Sequence, residues 1–185
     1  MKIQIRAAVL ASLLAALPAA SAPAGEAPRP AAGDVGAAPA PKAPEAEIKW
    51  YRFDEGAALA ARTKKAVLVD VYTSWCGWCK RMEATTYKDP RVITELNEHF
   101  VLVKLNAESD RPLTYKGEKT NEMRLSREVF GVTGYPTTVF LRSDGEVITP
   151  VSGYLAADKF RTVLTFIGTG AYENTKWSDY QKKNS

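Results

Sequence analysis

Residues 66–80 read AVLVDVYTSWCGWCK, and this stretch decides the fold. Its first half, Ala66–Tyr72, is a near-continuous apolar run rich in valine with one acid, Asp70. Such a run suits a strand buried on both faces of a sheet. The second half holds both cysteines of the chain, Cys76 and Cys79, where a helix is expected from about Cys76 to Met82. Residues at i and i+3 share a helix face, so the two sulfurs can meet in a disulfide. At the helix start Cys76 lies beside unpaired backbone N–H groups and the positive end of the dipole. Both favour thiolate over thiol and mark Cys76 as the nucleophile. Cys79, one turn further in, is expected to be less exposed and to act as the resolving thiol.

Other uses of the pair are weaker. A structural bridge closing so small a loop stabilises little. Zinc needs four ligands, and the chain offers two sulfurs and the single histidine, His99, so no metal is expected. A c-type haem needs histidine directly after the second cysteine, where Lys80 stands. A redox dithiol that needs no cofactor remains.

Outward from this stretch, Asp54 can cap a short helix over Glu55–Lys64. Asp89-Pro90 is a strong helix start, with Val92, Ile93 and Leu96 on one face and His99 at the end, where it suits the dipole. Phe100–Leu105 (FVLVKL) reads as a second buried strand carrying one lysine, Lys104. Asn106–Thr120 is polar with Gly and Pro and reads as a long loop; Met123–Phe130 is expected to be helical. Thr137–Leu141 and Glu146–Val151 read as strands joined at Ser143-Asp144-Gly145, a hairpin signal. Phe160, Val163, Leu164 and Ile167 repeat at i, i+3, i+4 and i+7, an amphipathic helix. The early β-α-β unit must be parallel and the late hairpin antiparallel. The expected class is α/β, a central mixed sheet flanked by helices on both faces.

The N-terminus carries Lys2 and Arg6, an uncharged stretch Ala7–Leu17, then Pro18 and small residues through Ala24. This is the pattern of a secretory signal peptide over 1–24, with cleavage expected after Ala20 or Ala24. The apolar stretch is shorter than the roughly 20 residues of a transmembrane helix. Residues 25–47 are rich in Pro and Ala, have almost no large apolar side chain, and read as a disordered, extended linker. The folded domain is therefore expected over 48–185. Losing Lys2 and Arg6 lowers a Lys+Arg count of 25 by two against 21 Asp+Glu, a balance that does not argue for nucleic acid.

The Trp75-Cys-Gly-x-Cys-Lys80 pattern, with VLVDVY before it, FVLVKLNAES after it and FGVTGYPTTVFLRSDGEV beyond, resembles the thioredoxin superfamily over roughly residues 66–168. The resemblance implies a thioredoxin fold. It also implies that Asp70 is the buried acid beneath the disulfide, Lys104 its strand partner, Pro136 a cis-proline and Gly153 a glycine in the last strand. Trp78 replaces the proline that thioredoxin has between its cysteines. The leader, the linker, the 106–120 segment and the tail with Tyr172, Trp177 and Tyr180 lie outside the thioredoxin core. With the early helix, the tail makes the chain more similar to exported bacterial thioredoxin-like proteins, which include relatives of the periplasmic domain that passes electrons out from a membrane reductant conductor.

Physical roles follow. Asp70 in an apolar strand should have a raised pKa through desolvation, suited to moving a proton to and from Cys79. Lys104 either tunes Asp70 or packs its stem and reaches water. A cis Pro136 would leave the Tyr135 backbone free to pair with an extended substrate; a trans turn proline is the alternative. Trp75 and Trp78 read as an apolar rim for thiol substrates, although Trp75 suits a core equally. The aromatic tail either packs back on the domain or forms a partner surface. The expected protein is a monomeric, periplasmic or secreted thiol-disulfide oxidoreductase, most simply a reductase. It would act on protein thiols and disulfides and be fed by a membrane-bound reductant-conducting partner. The rival readings are a disulfide-donating oxidase and a non-catalytic chaperone or binding module.

Overall fold

The computed structural model describes residues 47–184. The expected signal segment 1–24 and nearly all of the linker 25–47 lie outside them. In chain order the elements are β1 (Trp50–Tyr51), α1 (Phe53–Thr63), β2 (Ala66–Tyr72), α2 (Gly77–Ala84), α3 (Pro90–His99) and β3 (Phe100–Asn106). Then come β4 (Pro112–Tyr115), β5 (Glu118–Asn121), α4 (Glu122–Arg124), β6 (Thr137–Leu141), β7 (Val147–Ser152), α5 (Ala157–Gly168) and α6 (Trp177–Lys183). A five-stranded sheet runs β1-β3-β2-β6-β7. β3 is parallel to β1 and β2, whereas β6 is antiparallel to β2 and β7 to β6. The sheet is mixed and flanked by helices, as the alternation of apolar runs and helical periods required.

Pleating sends successive β2 side chains to opposite faces. Val67, Val69 and Val71 join Phe53 and Ala60 of α1 in one core, together with Leu113, Leu125 and Phe130. Leu68 and Phe140 join Met82 of α2, Val92 and Leu96 of α3 and Phe160 and Leu164 of α5 in the other. Burying each such Leu or Phe contributes about 1.5–3 kcal/mol. Gly56 lets α1 approach β3 closely, since a Cβ there would sit 2.3 Å from Val103 Cγ2. Asp89 caps α3, its Oδ1 accepting from the Arg91 N–H at 2.8 Å, with Pro90 in the first turn as the sequence indicated.

Several expectations need correction. Asp54 is not the cap of α1; Arg52 holds that position, and Asp54 Oδ1 accepts from the Thr114 N–H at 2.9 Å. Residues 106–120 are not one loop but contain most of the β4–β5 hairpin, which turns at Lys116-Gly117 with both residues at positive φ. That hairpin folds against α1, with Leu113 buried and Tyr115 partly buried in the same core. The helix expected at 123–130 is three residues of α4 followed by a π-helical turn, Leu125–Val129. β1 was not anticipated. Gly153 lies one residue past β7, at φ 93°, with its N–H on the Pro136 carbonyl at 2.8 Å. The aromatic tail packs back: Phe166 of α5 meets Trp177 and Tyr180 at ring separations of 5.2 and 4.8 Å.

The two sheet edges differ from the interior strands. β1 has only two residues, and β7 carries Pro150 opposite Val139.

Candidate functional site

The end of β2 delivers the chain into the turn before α2. Cys76 is the N-cap of α2 and is joined to Cys79 by a disulfide with Cα atoms 5.3 Å apart. The Cys79 N–H donates to Cys76 Sγ at 3.0 Å. An amide donor aimed at one sulfur, at the positive end of a helix, stabilises negative charge there once the bond opens. The asymmetry between the sulfurs is therefore electrostatic. It is not one of burial as the sequence had suggested, because Cys76 and Cys79 are 4% and 5% exposed.

A polar cluster centred on the buried Asp70 lies on the strands behind this turn. Register places Asp70 of β2 opposite Lys104 on β3 and Thr138 on β6. The Lys104 ammonium is 2.6 Å from Asp70 Oδ2 and also donates to Glu83 Oε1 from α2. It sits 5.0, 4.9 and 5.9 Å from the ring centres of Trp50, Tyr72 and Tyr87. Of the two readings of Lys104, the one that couples it to Asp70 is what the geometry holds. Burial pushes the Asp70 carboxyl up; Lys104 opposes that shift and Glu83 adds to it. Burial pulls the Lys104 ammonium down, but Asp70 and Glu83 outweigh it and leave its pKa raised. Two carboxylates share one ammonium, so the more buried carboxyl is where an extra proton goes.

The outer side is aromatic and open. Trp75 is 67% exposed and Trp78 55%, which removes the core alternative for Trp75. The Trp75 indole Nε1 donates to Glu108 Oε1 at 2.9 Å, and Glu108 Oε2 accepts from the Ser74 N–H and hydroxyl at 2.8 and 2.9 Å. Those bonds to Ser74, its backbone first, lower the Glu108 pKa. Trp75 meets Tyr135 edge-on at 5.9 Å, next to the Tyr135–Pro136 bond, which is cis. Among the described residues, no turn or loop backbone hydrogen bond uses the Tyr135 N–H or carbonyl. Trp78 packs on Tyr154 at 5.4 Å, with the Arg81 guanidinium against both rings.

The structure thus brings together Cys76 and Cys79, Asp70 with Lys104, and Trp75 with Tyr135 beside Pro136; Trp78 flanks the pair on another side. Sequence reasoning missed Glu83, Glu108, Tyr87 and Tyr154. Glu83 had a signal, standing four residues after Cys79 on one helix. Among the described residues no group of His, Cys, Asp and Glu is placed to hold a metal ion. No helix among them is long and apolar enough to cross a membrane. The arrangement supports thiol-disulfide oxidoreductase chemistry.

Known proteins agree with this geometry. The chain is 29% identical over 117 residues to Thiol:disulfide interchange protein DsbD of Photorhabdus laumondii, covering 62% of this chain and 18% of that one. It is 32% identical over 104 residues to the DsbD of Neisseria meningitidis serogroup A, covering 56% and 16%. The chain thus corresponds to less than a fifth of the length of these curated relatives. A thioredoxin-fold protein from Helicobacter pylori superposes with TM-score 0.54 at 25% identity, over 65% of this chain and 80% of that one. A thioredoxin from Thermus thermophilus shares the fold with TM-score 0.55 at 24% identity, over 71% and 98%. Residues 53–168, α1 included, match the thioredoxin-like domain family, and the chain belongs to it.

Proposed function

We propose that the chain is an exported thiol-disulfide reductase that works in the periplasm. The observation that carries the reading is Cys76 at the cap of α2, its sulfur receiving the Cys79 amide. In the reduced protein the Cys76 thiolate attacks a substrate disulfide, forming a Cys76–substrate bond and releasing one substrate sulfur as thiolate. Asp70 then takes the Cys79 proton. The Cys79 thiolate attacks the Cys76 sulfur, the Cys76–Cys79 bond forms, and the second substrate sulfur leaves as thiolate. Both released thiolates take up protons from water. Two electrons pass to the substrate, and a membrane-bound reductant-conducting partner returns them. The likeness to DsbD supports a partner that itself exchanges thiols and disulfides. Trp75, Trp78 and Tyr135 with Pro136 form the substrate-facing rim. Residues 1–24 act as the export signal and 25–47 as a tether for a monomeric domain over 48–185.

Magnitudes support this direction. A strongly oxidising disulfide donor has a potential of about −120 mV against about −270 mV for thioredoxin, a gap of roughly 7 kcal/mol for a two-electron couple. Closing that gap requires strong stabilisation of the Cys76 thiolate. Gly77 and Trp78 between the cysteines carry no cation, and a helix terminus contributes at most about 2 kcal/mol. Insulin reduction separates catalyst from binding module. Equilibration with glutathione buffers should give a potential nearer thioredoxin's; a value above about −160 mV would make the oxidase the better reading.

A further inference from the structure

Tyr87, in the single 3₁₀ turn between α2 and α3, is 4% exposed, and its hydroxyl is buried without a hydrogen bond. An unpaired buried hydroxyl is destabilising, and phenylalanine would fill the same space without that cost. The ring is fixed by Trp50 at 5.2 Å and Phe160 at 5.7 Å. Leu68, Asp70 and Tyr72 alternate onto one face of β2, and Tyr87 belongs to the same core as Leu68 on that face. The hydroxyl therefore lies among the polar groups of the inner cluster rather than in a purely apolar core.

We propose that Tyr87 is a positioning residue for the proton on Asp70: its hydroxyl is the second donor, beside the Lys104 ammonium, to the Asp70 carboxylate when that group is ionised. The groups facing Asp70 are Lys104 from β3, Glu83 from α2, Tyr87 from the 3₁₀ turn and the Thr138 hydroxyl from β6. Tyr87 interacts with Asp70, Glu83 and Thr138, and burial with the two carboxylates keeps its phenol neutral far above the ordinary range. It is thus a donor at every working pH. A carboxylate has lone pairs for about four donors, so Lys104 on Oδ2 leaves room for another. With the disulfide closed, the hydroxyl faces the carboxyl without settling into a hydrogen bond. When Asp70 is ionised, ready to take the Cys79 proton, the hydroxyl gains one. The donor helps to return a buried acid to its basic form after each cycle. This inference rests on the reductase reading for its purpose but not for its test.

The test is the carboxyl titration of Asp70, followed by NMR in the oxidised protein, where no thiol titrates. Tyr87→Phe should move the Asp70 midpoint upward by about one pH unit, a tenfold change, the size of one hydrogen bond to a charged group. The pH profile for resolving a mixed disulfide should move with it, while the melting temperature stays level or rises. In an Asp70→Asn background, Tyr87→Phe should leave the mixed-disulfide profile where Asp70→Asn alone puts it. Superimposable Asp70 midpoints in wild type and Tyr87→Phe would overturn the inference, as would a profile shift retained in the Asp70→Asn background. Failure of Tyr87→Phe to fold would overturn it too, by making the hydroxyl a structural partner. Absence of insulin reduction by the wild type would overturn the reductase reading alone.

Discussion

The two walls of the Cys76–Cys79 turn are built on opposite principles. The inner wall is built on a charge taken out of water: buried Asp70 pairs with half-buried Lys104, which Trp50, Tyr72 and Tyr87 surround and which reaches exposed Glu83 at the rim. The outer wall is a set of apolar rings left in water, with Trp75 held to Glu108 and Trp78 to Tyr154 and Arg81. Each arrangement is costly for its residue types, since buried charges lose hydration and exposed rings order solvent. Both costs fall at the turn that carries the sulfurs. On the proposed reading the inner wall handles a proton and the outer wall presents a surface, so damage to one should change pH dependence and damage to the other should change substrate preference.

The largest break in the comparison is at the sulfurs themselves. Cys79→Ser should lose turnover and accumulate mixed disulfides on Cys76, since the resolving thiol is gone. Cys76→Ser should lose turnover and accumulate none. Equal trapping by both variants on non-reducing gels would remove the asymmetry assigned to the Cys79 amide.

An intermediate effect is expected from Asp70→Asn. The rate of mixed-disulfide resolution at neutral pH should fall by up to about 100-fold, the low end of what a positioned base contributes. Stability should move the other way. Burial holds the folded-state pKa of Asp70 above its ordinary 3.8, so ionising it costs the folded state more than the unfolded one. Below the unfolded value the carboxyl is protonated in both states and there is no cost. The cost grows as pH rises from there to the folded value and is complete above it. Asp70→Asn should therefore raise the melting temperature at neutral pH and leave it unchanged well below pH 3.8. A uniform change at both pH values would show that the substitution acts through packing.

The smallest effect belongs to the outer wall. Glu108→Ala should free the Trp75 indole, visible in tryptophan fluorescence, and raise KM a few-fold for protein disulfides while leaving a small disulfide unaffected. In the wild type the Glu108 pKa is held below its ordinary 4.5, so its grip on Ser74 and Trp75 is present above that value. The grip should be lost only as pH falls through the lower folded value, which a fluorescence titration would follow. Equal losses on both substrate types would move Glu108 from the outer wall to the chemistry.

Much of this contrast was legible from the chain. AVLVDVY, FVLVKL and TTVFL carry enough branched apolar residues to be read as interior strands, and Asp89-Pro90 and the Phe160–Ile167 repeat mark their helices locally. Trp50–Tyr51 could not be read, because two residues have no period; that strand exists only because β3 offers an edge. The β4–β5 hairpin hid in polar composition, although its two-residue Lys116-Gly117 turn was a usable signal. At the site, the cysteines and Asp70 stood out through their neighbours in sequence. Glu108, Tyr87 and Tyr154 are distant in sequence from the groups they serve, and only the closed fold sets them beside Trp75, Asp70 and Trp78.

The terminal strands of the sheet bear on how the molecule behaves in company. An edge strand is a template for any extended chain, and a reductase of protein disulfides, as proposed, would meet many. β1 is too short to template more than a couple of residues, and Pro150 lacks the N–H that a continuous ladder along β7 would draw on. Both margins of the sheet are thus poor seeds for aggregation. On the proposed function, extended chains would then engage the domain at the cysteine turn, away from its flanks.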